Sequence, residues 1–111
     1  MKVDFFIRVC CVLSIAVREG SPTNNDLEGL AREIINEWKT LGRRLLENDE
    51  SSLDAIDKKN DEHGEKAYQM LLKWRRAEGS RATFRVLHDA LGHRFVNRRD
   101  LAEKFCLVKQ D

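Results

Sequence analysis

The stretch that decides the fold is KAYQMLLKWRRAEGSRATFRVLHDALGHRFVNRRDL, residues 66–101. Its first segment places apolar side chains three or four positions apart, which is the spacing of one helix face. Those side chains are Ala67, Met70, Leu71 and Trp74. Gly79 follows them, and glycine is suited to end a helix because it adopts positive φ without strain. The segment therefore predicts a helix that stops at Gly79.

Two further helices are predicted in the rest of this stretch. Thr83 is a suitable N-cap for the first of them, and Gly92 is suited to end it. Asn97 is a suitable N-cap for the second, in which Asp100 would lie near the positive end of the helix dipole. The residues expected to face inwards are Val86, Leu87, Ala90, Leu91, Leu101, Ala102 and Phe105.

The preceding forty residues carry the same helical pattern. Asn25 is a candidate N-cap, with Glu28 three positions on to complete a capping box. One apolar face then continues for about five turns and can bend near residues 35–36. It consists of Leu27, Leu30, Ala31, Ile34, Trp38, Leu41 and Leu45. Ser51 opens a short helix that carries Leu53 and Ile56, so the whole region reads as five or six short helices without an alternating β pattern.

Length and composition limit the chain to one domain with a heavily charged surface. The chain has 111 residues, of which 35% are charged, and its net charge is only +1. Near-neutrality argues against a general polyanion binder. The charge is nevertheless divided, because residues 26–65 carry a net charge of −6 and residues 66–111 carry +6. Such a dipolar domain can attract copies of itself head to tail, although two solvated charged faces would give the same counts.

Residues 1–25 differ in composition from the rest and form an apolar segment followed by a linker. Residues 5–17, FFIRVCCVLSIAV, are too short to span a bilayer, which takes about 20 residues. Three interpretations stay open: a poor signal peptide, the remnant of a longer chain's membrane segment, or an extra helix or strand packed on the domain. Cys10 and Cys11 could also carry a fatty acyl chain. Membrane association depends on whether this segment is an anchor.

The arrangement of these pieces resembles the death domain, a six-helix antiparallel Greek-key bundle related to the caspase-recruitment and death-effector domains. The resemblance covers residues 26–107, with residues 108–111 as a tail. The pieces that carry it are WKTLGR (38–43), LDAID (53–57), KAYQMLLKW (66–74), AT (82–83), AL (90–91) and DLAE (100–103). It implies that Trp38 fills the core from the second helix and that Trp74 does so from the fourth.

The expected core combines these tryptophans with the apolar stripes of the other helices. A domain of this size buries only a modest fraction of its surface, so its stability depends on a well-packed core. The predicted core residues are Leu30, Ile34, Trp38, Leu41, Ile56, Met70, Leu71, Trp74, Leu87, Leu91, Leu101 and Phe105.

No catalytic, metal or cofactor site is predicted. The chain contains no glycine-rich phosphate loop, HExxH or CxxC motif. His88 and His93 lie five positions apart, about 140° around a helix axis, so they would not face one metal ion. Cys106 has no neighbouring base to activate it as a nucleophile. Three cysteines without a disulfide framework indicate a reducing, cytoplasmic setting, and we expect neither an enzyme nor a binder of nucleic acid or small-molecule substrates.

The resemblance implies a homotypic module that binds other death-domain proteins, or itself, through small charged faces in apoptotic or innate immune signalling. Such contacts join two different patches, so they propagate rather than close into a dimer. The alternative is a fragment or tail of a receptor or scaffold whose death domain docks intramolecularly and autoinhibits it. The residues expected to contact a partner are Lys73, Arg75, Arg76 and Arg81 at the end of the fourth helix and in the loop that follows it, Arg98, Arg99 and Asp100 at the start of the last helix, and Asp54, Asp57, Lys58, Lys59 and Asp61 around the third.

Overall fold

The computed structural model describes residues 17–108, which form six α-helices. The helices are α1 (Asn24–Glu33), α2 (Trp38–Leu45), α3 (Glu50–Lys59), α4 (His63–Glu78), α5 (Phe84–Leu91) and α6 (Arg99–Cys106), and a 3₁₀ turn (Gly79–Arg81) follows α4. The described range contains no β-strand, only an isolated antiparallel bridge between Val17 and Leu107. The predicted all-α, six-helix architecture is therefore confirmed.

The apolar face predicted to run for five turns is divided between α1 and α2. The first helix begins two residues earlier than expected, because Thr23 rather than Asn25 is the N-cap and forms a reciprocal capping box with Asp26. The helix ends at Glu33, and the backbone of the C-cap residue Ile34 leaves the helical region. This break keeps Ile34 inside the core while it leaves Ile35 exposed.

Side chains and glycines set most of the other helix ends. Asp49, not Ser51, caps α3 by accepting a hydrogen bond from the Ser52 amide. Thr83 caps α5 as predicted, and α4 ends at Gly79, which has a φ of 58°. Asn97, in contrast, does not cap α6, because it adopts a φ of 52° in the loop before that helix.

The core is arranged around α4. Helix α1 packs along α4, α2 packs against both α4 and α5, α3 packs against α2 and α4, and α6 packs against α5 and α1. Of the predicted core residues, Phe105 lies partly buried at the edge of the core, and the other eleven are buried. Val86 was expected to face inwards but is 40% exposed, because it lies about 100° around α5 from its buried neighbour Leu87.

Three helices, α2, α3 and α4, approach one another closely at Gly42. A Cβ atom at this position would lie 2.6 Å from Leu53 Cδ2 and 3.1 Å from Met70 Cγ, so α2 is held against α3 and α4 with no room for a side chain.

The residues before α1 are attached to the bundle from Val17 onwards. The Arg18 amide donates a hydrogen bond to the Cys106 carbonyl over 2.7 Å, and its guanidinium lies 4.1 Å above the Phe84 ring. The Phe84 amide donates to the Gly20 carbonyl. This segment therefore lies across the ends of α5 and α6. The rest of the apolar segment, with Cys10 and Cys11, falls outside the described residues.

Candidate protein-interaction surfaces

A groove between α3 and α4 collects positive charge. Its floor is Ala55 and Ile56, and three cationic side chains line it: Lys59, Lys73 and Arg76. Ser52, Asn60 and Gln69 complete its walls, and its volume is about 440 Å³. None of the three cations has an ion-pair partner within residues 17–108. We call this surface the basic groove; its free charges are available to a partner's carboxylates.

The predicted residues of the third-helix region divide between two surfaces. Lys59 belongs to the basic groove, whereas Asp54 and Asp57 face α2 and pair with Lys39 over 3.3 and 3.6 Å. Asp57 also accepts a hydrogen bond from Lys66, which lowers the pKa of the Asp57 carboxyl below its ordinary value. These two acids are partly neutralised within the molecule. Lys58 and Asp61 are exposed.

The two arginines at the start of α6 have different environments. The Arg98 side chain is 24% exposed, and its Nη1 donates to the Glu33 carbonyl over 3.1 Å and to Glu37 Oε1 over 2.9 Å. It also donates two hydrogen bonds to Asp100, which lower the pKa of that carboxyl. Arg98 therefore ties α6 to the α1–α2 turn. Arg99 is exposed and has no ion-pair partner in the part of the chain that the structure describes.

The end of α4 shows the same division. Arg75 donates to the Pro22 carbonyl over 3.1 Å and to Asn24 Oδ1, so it holds the start of α1 against α4. Arg76 lines the basic groove instead. Arg81 is highly exposed and lies 3.6 Å from Glu78, a distance typical of a weak surface pair.

The structure thus brings Lys59, Lys73 and Arg76 together in one groove and does not place Arg75 or Arg98 there. Both of those arginines make contacts that stabilise the fold. Arg75 and Arg98 could not be separated from their neighbours by sequence alone, because each lies next to a second arginine.

Two further surfaces were not predicted. The first is the α5–α6 loop, where the Phe95 ring is 60% exposed between the guanidiniums of Arg94 and Arg44. We call Arg44, Arg94 and Phe95 the aromatic tip. An aromatic residue directly after an arginine, in a predicted loop rather than on a helix stripe, was the signal available in the sequence.

The second is a groove between α1 and the N-terminal half of α4, with a volume of about 420 Å³. Three carboxylates line it, those of Glu28, Glu62 and Glu65, together with Ala31, Tyr68, Gly64 and one cation, Arg32. We call this surface the acidic groove. Helix α4 therefore contributes to an acidic surface at its N-terminal end and to a basic one towards its C-terminal end.

The remaining candidate groups lie outside these surfaces. Burial raises the pKa of the Cys106 thiol to about 12, so this residue is a small core side chain with very little thiolate. Among residues 17–108, no group of three histidine, cysteine or carboxylate side chains is placed to hold a metal ion. Within the same range, no helix is both long and apolar enough to cross a membrane.

Comparison with protein families decides what kind of bundle this is. The family model described as "Death domain" matches residues 24–106. The chain belongs to the death-domain family. A search of curated proteins found no match.

The match begins at the first residue of α1 and ends at the last residue of α6. The two death-domain tryptophans lie where the resemblance placed them, with Trp38 at the start of α2 and Trp74 towards the end of α4, both in the core. Death domains are homotypic protein-interaction modules of signalling proteins, so this bundle is a binding domain and its exposed charged surfaces are its functional candidates.

Proposed function

We propose that this death domain acts as an adaptor or regulator that joins death-domain proteins, including copies of itself, into signalling assemblies of the apoptotic or innate immune type. The observation that carries the proposal is the family match over residues 24–106, which spans all six described helices. An interaction module needs exposed groups that the fold itself does not use, and the basic groove supplies them.

The basic groove is the contact surface that we assign to assembly. Lys59, Lys73 and Arg76 have no ion-pair partner among the described residues, so a partner's carboxylates would not have to displace an existing one. The partner surface is acidic, in keeping with the net charge of −6 carried by residues 26–65. Each exposed pair contributes only about 0.2–1 kcal/mol, so several must act together. Assembly is therefore weak at each contact and weakens as salt is added.

Charge reversal in the groove tests this function. Arg76→Glu should abolish oligomer formation of the isolated chain, as measured by sedimentation velocity at low and high salt, and should leave the helical circular dichroism signal unchanged. The matched control is Arg85→Glu, which reverses an exposed arginine on α5 outside the groove. Assembly that survives both Arg76→Glu and high salt would show that the electrostatic mechanism is wrong. A wild-type chain that is monomeric at every salt concentration would favour intramolecular docking in a longer protein.

A further inference from the structure

We propose that the aromatic tip of one copy of this chain inserts into the acidic groove of a second copy. The inference rests on the proposed function, since it names a contact through which copies associate. The inference goes beyond the proposed function because it concerns two other surfaces. The aromatic tip, the acidic groove and the basic groove have no residue in common.

The aromatic tip has the composition of a binding anchor. Phe95 is the most exposed of the large apolar side chains in the described range, at 60%. The Arg94 and Arg44 guanidiniums lie 5.0 and 5.6 Å from its ring centroid, within the range of a cation–π contact. Aromatic residues and arginine are the side chains enriched at the energetic centres of interfaces. Here Arg94 and Phe95 protrude from the α5–α6 loop, and the half-buried Arg44 reaches the Phe95 ring from α2.

The loop is held in a fixed shape before any partner binds. Val96, next to Phe95, is buried and anchors the loop to the core. The Asn97 amide donates to the His93 carbonyl over 2.7 Å, and the Arg98 amide donates to the Leu91 carbonyl over 2.9 Å. The Phe95 amide donates to His93 Nδ1. A tip that is already ordered loses little conformational entropy on binding, which favours association.

The acidic groove is complementary to this tip in charge, and it also offers an aromatic side chain. The half-buried Tyr68 provides aromatic surface for a phenyl ring, whereas Ala31 is buried beneath it in the core. Glu28, Glu62 and Glu65 provide carboxylates for the two arginines of the tip. Arg32 already pairs with Glu28 over 3.3 Å, so Glu62 and Glu65 are the carboxylates that we assign to the incoming arginines.

A second copy is the occupant that these observations favour, because the chain itself carries both halves of the contact. The tip is formed by the α5–α6 loop and Arg44 of α2, and the groove lies between α1 and α4. A pair of copies therefore retains one free tip, on one copy, and one free groove, on the other. Such a contact is heterologous and extends into chains of copies. It also aligns the basic half of one molecule with the acidic half of the next.

The test uses the full chain and two variants that each remove one half of the contact. Phe95→Ala removes the anchor from the tip, and the double variant Glu62→Lys, Glu65→Lys reverses the groove. Ile35→Ala is the control for the first, since Ile35 is an exposed apolar residue elsewhere, and Glu103→Lys is the control for the second. All of these sites are exposed, and circular dichroism should show that the variants keep the helical fold.

We expect each variant to raise the concentration needed for self-association, measured by sedimentation velocity, at least about tenfold, as for loss of an interface hot spot. The two controls should associate like the wild type. An equimolar mixture of the two variants should associate more strongly than either alone, because one intact tip and one intact groove remain in the mixture.

Two kinds of result would overturn the inference, and they differ in whether they also contradict the proposed function. The tip does not enter the groove if both variants assemble as well as the wild type does, or if their mixture associates no more strongly than either variant alone. The proposed function would stand in both cases. If the wild type is monomeric at every concentration and at low salt, both the contact between copies and self-assembly are wrong.

Discussion

Two adjacent arginine pairs, one at the end of α4 and one at the start of α6, look alike in the sequence and are divided in the same way by the fold. In each pair the first arginine reaches a backbone carbonyl far away in the chain: Arg75 that of Pro22, and Arg98 that of Glu33. The second, Arg76 or Arg99, is exposed without an ion-pair partner within residues 17–108. In α4 successive residues point about 100° apart, and at α6 Arg98 is the N-cap residue whereas Arg99 is the first residue of the helix. Neighbouring arginines therefore point in different directions and have two roles.

The two inward arginines differ in the charge of their partners. Arg75 bonds only neutral oxygens, those of Pro22 and Asn24. Arg98 also contacts two carboxylates, Glu37 and Asp100, and its hydrogen bonds to Asp100 raise the arginine's pKa above its ordinary value. The contact at α6 is therefore electrostatic in large part, whereas the contact at α4 is that of a charged donor with polar acceptors.

The largest effect is expected at the core residue next to the α4 pair. Trp74 is fully buried, so Trp74→Ala should lower the free energy of unfolding by about 3–5 kcal/mol, a large part of the total for a small domain. Urea unfolding followed by circular dichroism measures this. An unchanged midpoint would mean that Trp74 does not stabilise the core that positions the two arginine pairs.

A smaller effect should separate the members of the α6 pair. Arg98→Ala removes hydrogen bonds to Glu33, Glu37 and Asp100 and should cost about 1–3 kcal/mol. Arg99→Ala, its matched control, should stay within about 0.5 kcal/mol of the wild type, as is usual for an exposed substitution. Equal losses in urea unfolding would contradict the division into inward and outward arginines.

The inward arginine of α4 should contribute less and respond differently to salt. Arg75→Ala should cost about 1 kcal/mol, with Arg76→Ala as the neutral control. Because the Arg75 acceptors carry no net charge, its loss should cost the same in 1 M salt, where the screening length falls to about 3 Å. The cost of Arg98→Ala should shrink under the same conditions. If the loss of stability in Arg75→Ala depended on salt, the proposed difference between a neutral contact at α4 and an electrostatic contact at α6 would be wrong.

The smallest effect is expected at acidic pH. The hydrogen bonds that Asp100 accepts from Arg98 lower the pKa of its carboxyl below the ordinary value of 3.8. The folded state therefore binds this proton more weakly than the unfolded state does, so the stabilisation is present above about pH 3.8 and is lost as the pH falls through the lower value. Asp100→Asn should make the decline of the urea midpoint between about pH 5 and pH 2.5 shallower. Asp61→Asn, on an exposed side chain, should keep the wild-type decline.

Most of the fold could be predicted because helical periodicity is a local property of the sequence. The stripes on α4, α5 and α6 indicated which residues face inwards, and Gly79, Thr83 and Gly92 set helix ends at the expected places. The errors lie where two candidates competed for one local role. Thr23 caps α1 in place of Asn25, and Val86 is exposed while Leu87 and Ala90 are buried on the inner face of α5.

The surfaces could be predicted only in part. Lys73 and Arg76 were named because of their position at the end of the fourth helix, but their association with Lys59 depends on the packing of α3 against α4. Phe95 was missed because an exposed aromatic in a loop gives no periodic signal. The acidic groove was missed because its carboxylates come from two segments more than thirty residues apart.

The sequence by itself determined an all-α domain of five or six short helices with an acidic half and a basic half, because apolar spacing, helix caps and charge counts are read along the chain. The resemblance of its motifs to the death domain then implied six helices. Only the tertiary structure decided which charges are available to a partner. That outcome depends on contacts between distant segments, such as Arg98 with Glu37 and Arg75 with Pro22, which satisfy some side chains and leave their neighbours exposed.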